Sequence, residues 1–329
     1  MERIVTNGLM NKRSRLNNKK NIGEEMNNRS TLIFGLVLIG AVVLSACGGQ
    51  AAAANDQPMD ADGLQYSDEG LPLYGCLGSA EEALVDLECH EVTVAVENAY
   101  LPFNYIHSET GQAGGWDYDV IPEICERLHC QPVFVEVSWD VMIQSVADGL
   151  YDLAGDGITI TAEREEIADF SMGYVAIEQR LLVRMGEDRF TNIEEFTANP
   201  ELVMGTQTAT TNYETAIQYL SEDRVRAFEQ FPFAVQALIA GDVDAVIIDE
   251  TAGTGYLGEN AEELELIGPA ISSDALGFIF PTGSELVEPF NLAIQNMMDD
   301  GTLAEIDLRY WSGEFEVTYD DIAEVTYDN

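Results

Sequence analysis

Two stretches of this chain carry the same pattern, and that repeat limits the available folds more than any other feature. In WDVMIQSVADGLYDLAGD, the residues Trp139, Met142, Ile143 and Val146 fall at helical spacing, followed by Gly149, Asp152 and a short apolar run. In FPFAVQALIAGDVDAVIID, the residues Phe231, Ala234, Val235 and Leu238 repeat the spacing, followed by Gly241, Asp244 and a second apolar run. An apolar stripe of period 3.6 that stops at glycine and gives way to a short apolar run reads as a helix feeding a buried strand. Two copies predict two related lobes.

Around these units, strand-like and helix-like segments alternate from about Glu91 onward, the mark of α/β architecture. EVTVAVENAY reads as a strand entering a loop. DYDVIPEICERL places Val120, Ile121, Ile124 and Leu128 on one helical face, with Asp117 as its cap. Ligands of open α/β sheets sit beyond the carboxyl ends of the strands. That rule singles out the loops in AVENAY, Asp156 to Thr161, VMGTQTATT and the aspartate Asp249, which could face one cleft.

Charge bounds the partners. The chain has 15 Lys+Arg against 59 Asp+Glu, a net charge of -44. Seven of those bases and three of those acids lie before residue 47, leaving eight bases, all arginine, against 56 acids. Such a body repels nucleic acid and anionic membrane. Molar salt, with a Debye length of ~3 Å, would screen its self-repulsion, and an acidic medium would neutralise it; the sequence leaves both open. One retained arginine, Arg164 in GDGITITAEREEIADFS, sits among Glu163, Glu165, Glu166 and Asp169. It is either part of a solvated helix face, with ion pairs worth ~0.3 kcal/mol each, or a fork of donors for a carboxylate.

The basic start runs into TLIFGLVLIGAVVLSAC. Its apolar stretch, Leu32 to Leu44, is short for a membrane span and suits a signal peptide, with Met26 an alternative start. Leu44-Ser45-Ala46-Cys47 resembles a bacterial lipobox, which implies cleavage before Cys47 and lipidation of its thiol; an uncleaved signal anchor is the alternative. The following GGQAAAANDQPMDADG reads as a flexible spacer. The expected segments are a signal peptide at 1–46, a linker at 47–70 and an N-terminal extension at 71–90. The first lobe takes 91–183 with 276–315, the second takes 184–275, and 316–329 is a tail.

Cys76, Cys89, Cys125 and Cys130 remain for an oxidising compartment. Four cysteines allow three pairings, and proximity favours Cys76 with Cys89 and Cys125 with Cys130. The second pair needs a helix that ends near His129, because five residues along a helix set side chains ~140° apart. A metal site using His90 or His129 is the competing use of these thiols, and the lack of a C-x-x-C pair argues against it. No metal and no cofactor are expected.

AYLPFNY, GWDYDVIPEI, WDVMIQSVADGLYDL, GITITAEREEIADFS, MGTQTATT and GDVDAVIID stand in the order and at the spacing of a known family. From Glu91 to Phe315 the chain resembles the bacterial extracellular solute-binding proteins of family 3, the polar amino acid binding lipoproteins of ABC importers. The resemblance implies a two-lobed, type II periplasmic-binding-protein fold with two hinge crossings, each lobe a sheet flanked by helices. By matching position it implies that Arg164 grips a ligand α-carboxylate with help from Thr159 and Thr211, and that Asp249 meets the α-ammonium with Gly157 and Thr159. Tyr100 and Trp139 would wall the side chain, and Glu97 and Gln207 would read its tip. Two departures stand out: Ala209-Thr210-Thr211 where the family often has Gly-Thr-Thr, and Asp156 where Ser or Gly is commoner.

The implied partners are a free amino acid, an ABC permease with its ATPase, and a membrane reached through the anchor of a monomer. The surplus of acid at Glu97 and Asp156, beside Tyr100 and Trp139, favours a basic or amide side chain. A dehydratase-like enzyme and a ligand-sensing domain use the same fold, but His90, His107 and His129 fall outside the candidate loops, and no output domain follows Phe315.

Overall fold

The sequence repeat is one structural device used twice. Its apolar stripes form the helices Trp139–Ala147 and Phe231–Ala240. After each helix a glycine, Gly149 at φ 74° and Gly241 at φ 81°, takes a left-handed turn that costs a residue with a side chain about 1–2 kcal/mol. The repeated aspartate then ties down the neighbouring strand. Asp152 Oδ2 accepts the Thr93 N–H at 2.8 Å, and Asp244 Oδ2 accepts the Val203 N–H at 2.9 Å. The strands Leu153–Ala154 and Ala245–Asp249 follow, each parallel to a neighbour in its own sheet.

The computed structural model describes residues 63–260, 262–311, 315–323 and 325, with the side chains of 258–260 left aside. The expected signal peptide, Cys47 and the first part of the linker lie outside the described residues. A seven-stranded sheet has the order Gln65–Tyr66, Pro72–Leu73, Cys130–Glu136, His90–Val96, Leu153–Ala154, Ile279–Pro281, Ala168–Phe170. A five-stranded sheet has the order Val225–Phe228, Met204–Gln207, Ala245–Asp249, Val175–Arg184, Leu264–Leu276. A small third sheet, Ala99–Tyr100, Asn104–Ile106 and Ala113–Gly114, belongs to the first lobe, where the helix Trp116–Leu128 packs on it. The helices Val287–Asp300 and Thr302–Trp311 return to pack against Trp116–Leu128, so the chain after the second lobe completes the first. Among the described residues, no helix is long and apolar enough to cross a membrane.

The chain crosses between the large sheets at Ser171–Tyr174 and returns at Gly277–Phe278. The two crossings hold each other, Ser171 N–H to Phe278 O at 2.9 Å and Tyr174 N–H to Leu276 O at 3.0 Å. The lobe boundary expected at 183/184 therefore falls inside a strand. Val175–Arg184 pairs with Leu264–Leu276 at both ends, Val175 opposite Leu276 and Arg184 opposite Leu264, with a shift of register between Gln179 and Leu181, so residues 183 and 184 belong to one strand of the second sheet. The expected linker is also shorter than 47–70. Gln65–Tyr66 pairs with Pro72–Leu73, and Leu73 pairs with Val133, which adds two strands to the edge of the first sheet.

Both disulfides are present, Cys76–Cys89 and Cys125–Cys130, with Cα separations of 5.3 and 4.7 Å. The helix ends at Leu128 and His129 is left-handed at φ 53°, which swings Cys130 back over Cys125. His129 Nε2 lies 3.0 Å from Cys89 Sγ, but that sulfur is bonded to Cys76, and His129 Nδ1 meets Asp86 Oδ1 at 2.7 Å.

Candidate functional site

Arg164 sits in the short helix Ala162–Glu165, which Thr161 caps by accepting the Arg164 N–H at 3.2 Å. That turn sends Glu163, Glu165 and Glu166 outward and Arg164 inward, where it is only 8% exposed. Its Nη1 donates to Thr159 O at 2.8 Å, and its guanidinium lies 5.6 Å from the Trp139 ring centroid. Among the described residues, no carboxylate comes within ion-pair distance of it. The solvated-face reading of this arginine is thus set aside, and burial pushes its pKa down. A buried charge without a counter-charge is expensive, several kcal/mol even after relaxation.

Asp249 faces the same space from the second lobe, at the carboxyl end of Ala245–Asp249. Its Oδ2 accepts from Tyr100 Oη, and its Oδ1 accepts from Asn212 Nδ2 at 3.2 Å. Burial pushes its pKa up to about 6 against the pull of those two hydrogen bonds. Tyr100 is stacked between Phe103, 5.4 Å away, and Phe231, 6.0 Å away. A Cβ on Gly157, at φ 57°, would stand 2.8 Å from the Tyr100 ring, so glycine is what lets that loop close on the tyrosine.

At the far end of the space, Gln207 Nε2 donates to Glu97 Oε1 at 3.0 Å and to Glu229 O at 2.9 Å. Asp156 Oδ1 accepts from Asn104 Nδ2 at 2.6 Å, and the same amide nitrogen donates to the buried Asp117 Oδ2 at 2.8 Å. Burial, with mutual repulsion added, raises Glu97 well above the usual carboxylate range, and burial brings Asp156 up to about 7. Thr159 and Thr211 hydroxyls lie 3.4 Å apart, and Trp139 Nε1 donates to Ala209 O at 3.3 Å. Each of the contacts Tyr100–Asp249, Glu97–Gln207, Thr159–Thr211 and Trp139–Ala209 joins one lobe to the other. The structure is the closed form.

A pocket lies between the lobes. Glu97, Tyr100, Trp139, Gly157, Thr159, Arg164, Gln207, Thr211 and Asp249 all line it. So do Asp156, Thr210, Asn212 and Phe231. Phe231 was within reach of the sequence, since it occupies in the second repeat the position of Trp139 in the first. Thr210 and Asn212 were not. Thr210 also caps the helix Thr211–Tyr219 by accepting the Tyr213 N–H at 3.1 Å, and a single sequence does not separate a cap from a contact. That helix opens its N-terminus on the pocket, where its free N–H groups favour an anion.

Two α/β lobes joined by two crossings, with a polar pocket between their strand ends, define a bilobed binding protein of the periplasmic type. The chain belongs to the bacterial extracellular solute-binding proteins, family 3, whose model matches residues 92–313. It is 29% identical over 225 residues to the L-cystine-binding protein TcyA of Bacillus subtilis, which covers 68% of this chain and 81% of that one. It is 26% identical over 243 residues to the histidine-binding periplasmic protein of Escherichia coli, covering 69% of this chain and 88% of that one. Among solved structures, the arginine-, lysine-, histidine-binding protein ArtJ of Geobacillus stearothermophilus superposes with a TM-score of 0.63 at 29% identity, over 67% of this chain and 95% of that one.

Proposed function

We propose that this protein captures a polar α-amino acid between its lobes outside the cytoplasm and delivers it to the permease of an ABC importer. The observation that carries the reading is the split charge pair. Arg164, a buried guanidinium that makes no ion pair among the described residues, faces a buried carboxylate, Asp249, across one pocket. An α-amino acid carries both complementary charges on one carbon and would satisfy both lobes at once. Thr159, Thr211 and the N-terminus of Thr211–Tyr219 support the carboxylate end; Gly157 and Thr159 support the ammonium end.

The acids at the far end set the preference for a side chain. Glu97 and Asp156 are two further acids beyond Asp249, held toward their protonated forms by burial, that a ligand cation would draw into the charged form, and Tyr100 and Trp139 offer aromatic faces worth ~0.5–2 kcal/mol to a cation. We infer a basic amino acid, with an amide side chain second, which is in keeping with the histidine and arginine named for its relatives. The pocket lining holds no histidine, cysteine or lysine, and the relatives are binding proteins, which favours carriage over chemistry. The lipobox-like run ending at Cys47 supports a lipid-anchored monomer working with a permease and ATPase; replacement of Cys47 by serine should release the protein from the membrane.

Calorimetric titration of the purified protein with arginine, lysine, histidine, glutamine, cystine and glutamate tests the function. Tightest binding of a basic or amide ligand is expected. Absence of binding to every amino acid overturns the function, and preference for glutamate overturns the acidic-pocket argument alone.

A further inference from the structure

The family match ends at residue 313, but the chain beyond it is built into the fold. The sequence reading treats 316–329 as a plain tail, and its described part corrects that. Tyr319–Asp321 forms a tight turn closed by Thr318, whose N–H and hydroxyl both donate to Asp321 Oδ2, at 2.8 and 3.0 Å. The turn is anchored to the first lobe: the Leu101 N–H donates to Tyr319 Oη at 3.1 Å, and the Ser108 N–H donates to Asp321 O at 2.8 Å. Ile322 pairs with His107 in an antiparallel bridge, and the Ala323 N–H donates to Ile106 O at 2.7 Å, which continues the small sheet. It also reaches the second lobe. The Tyr319 ring lies flat on Tyr256, with centroids 3.4 Å apart and planes 2° from parallel, and Gln230 Nε2 donates to Val325 O at 3.2 Å.

These anchors are placed next to the ligand pocket. Leu101 directly follows Tyr100, and Gln230 directly precedes Phe231. Tyr100 and Phe231 are the aromatic residues that face each other across the pocket. The segment therefore joins from outside the same two points that the Tyr100–Phe231 contact joins from inside. We propose that this segment is a strap that holds the closed lobes together, with Tyr319 as a positioning residue for the pocket. The inference rests on the reading that an amino acid binds between the lobes.

Contacts to the first lobe are backbone pairings together with the side-chain bonds Leu101 N–H to Tyr319 Oη and Ser108 Oγ to Asp321 O, all of which a hinge motion leaves intact. Among the described residues, the contacts to the second lobe include the Tyr319–Tyr256 ring stack and the Gln230–Val325 hydrogen bond. On opening, the strap stays with the first lobe and the Tyr319–Tyr256 and Gln230–Val325 contacts break. Only interactions that differ between open and closed states shift the balance between them, so the strap acts on how long a ligand is held.

Stopped-flow kinetics of the full-length protein, read by the fluorescence of Trp139 at the pocket, tests this with arginine as probe. Tyr319→Ala is expected to speed release about ten-fold and to leave association nearly unchanged, since interface losses fall mainly on dissociation. Tyr319→Phe keeps the ring stack on Tyr256 and loses only the bond to Leu101, which opening leaves intact, so release is expected to stay within about two-fold of the wild type. Unchanged release in both Tyr319→Ala and a chain stopped after Phe315 overturns the strap, as does a loss of affinity carried by slower association. If the wild-type protein binds no amino acid, hydrogen exchange decides the strap without ligand. Faster exchange at the Leu101 amide, with a larger radius of gyration, in the shortened chain supports it; no change in either overturns it.

Discussion

The first lobe carries both disulfides, the two added edge strands and the buried cation of the pocket, whereas the second lobe has no cysteine and offers the pocket an acid, amides and a helix N-terminus. The lobes share one design, down to the aspartate that ties a helix exit to the neighbouring strand. They differ in covalent reinforcement and in the charge they bring. The difference teaches that neither lobe alone supplies the proposed site: among the described residues, Arg164 and Asp249 make no ion pair within their own lobes. A stapled half and an unstapled half meet over the pocket, where the proposed amino acid would carry the missing charges.

Breaking the charge division gives the largest expected effect. Arg164→Ala and Asp249→Ala each remove one half of a desolvated pair and leave a ligand charge buried without a partner, a cost of ~2 to 5 kcal/mol. Both variants should fold and both should lose amino-acid binding in calorimetry. Loss in one variant alone would mean that a single lobe carries recognition, and the division would be wrong.

Reduction sharpens the contrast in reinforcement. Cys76–Cys89 closes a sequence separation of 13 and Cys125–Cys130 one of 5, both within the first lobe. Loss of a cross-link of such size costs on the order of 2–3 kcal/mol through the unfolded chain. Hydrogen exchange after reduction should accelerate in Trp116–Leu128 and Cys130–Glu136 while the five-stranded sheet keeps its protection. Equal acceleration in both lobes would show that they unfold as one unit.

How much of this was legible follows from how local each signal is. The repeat was readable because helix period, glycine and aspartate lie within one short stretch, and the conditional Cys125–Cys130 pairing became readable once His129 was allowed to end a helix. The crossing before Val175 was not readable. An apolar run such as Leu181–Val183 looks the same whether it begins a strand or ends one whose pairing partner, Leu264–Leu276, lies far along the chain. The strap was hidden for a related reason: Tyr319 has no periodic context, and its partners Leu101 and Tyr256 are distant in sequence. The departure at Asp156 was visible, but not its hold by Asn104, which depends on the small sheet bringing residue 104 to the pocket wall.

Titration moves the stability of the ligand-free fold and the capture of ligand in opposite directions. Asp249 is raised from 3.8 to about 6 and Asp156 to about 7, in each case chiefly by burial. A carboxylate with a raised folded pKa binds its proton more tightly when folded, so these groups make the ligand-free protein more stable as pH falls from about 7 toward 4. In the proposed binding mode ligand capture runs the other way, because an α-ammonium would require ionised Asp249. Affinity for arginine should fall up to about ten-fold per pH unit below 6. Titration calorimetry and thermal unfolding across pH 4–8 check the two slopes. In Asp249→Asn the affinity slope should flatten, and a slope that survives would move the titrating group to the first-lobe acids Glu97 and Asp156.

The smallest expected effect lies where the second lobe touches Trp139. Ala209 stands at φ 57°, a left-handed conformation that costs an alanine ~1–2 kcal/mol, in the loop where the family often has glycine. Its carbonyl accepts from Trp139 Nε1 at 3.3 Å, so the strained residue is also a cross-cleft contact. Ala209→Gly relieves the strain but enlarges the freedom of the unfolded chain, which returns ~0.4–1 kcal/mol of the gain. The net should be a stabilisation of about 0.5 kcal/mol, a rise in melting temperature of about 1–2 °C for a chain of this size. Affinity should change less than two-fold, because the conformation that presents the carbonyl is already the one glycine prefers. A several-fold gain in affinity would instead mean that Ala209 resists closure, so that the second lobe, like the first, stores a cost that ligand binding must meet.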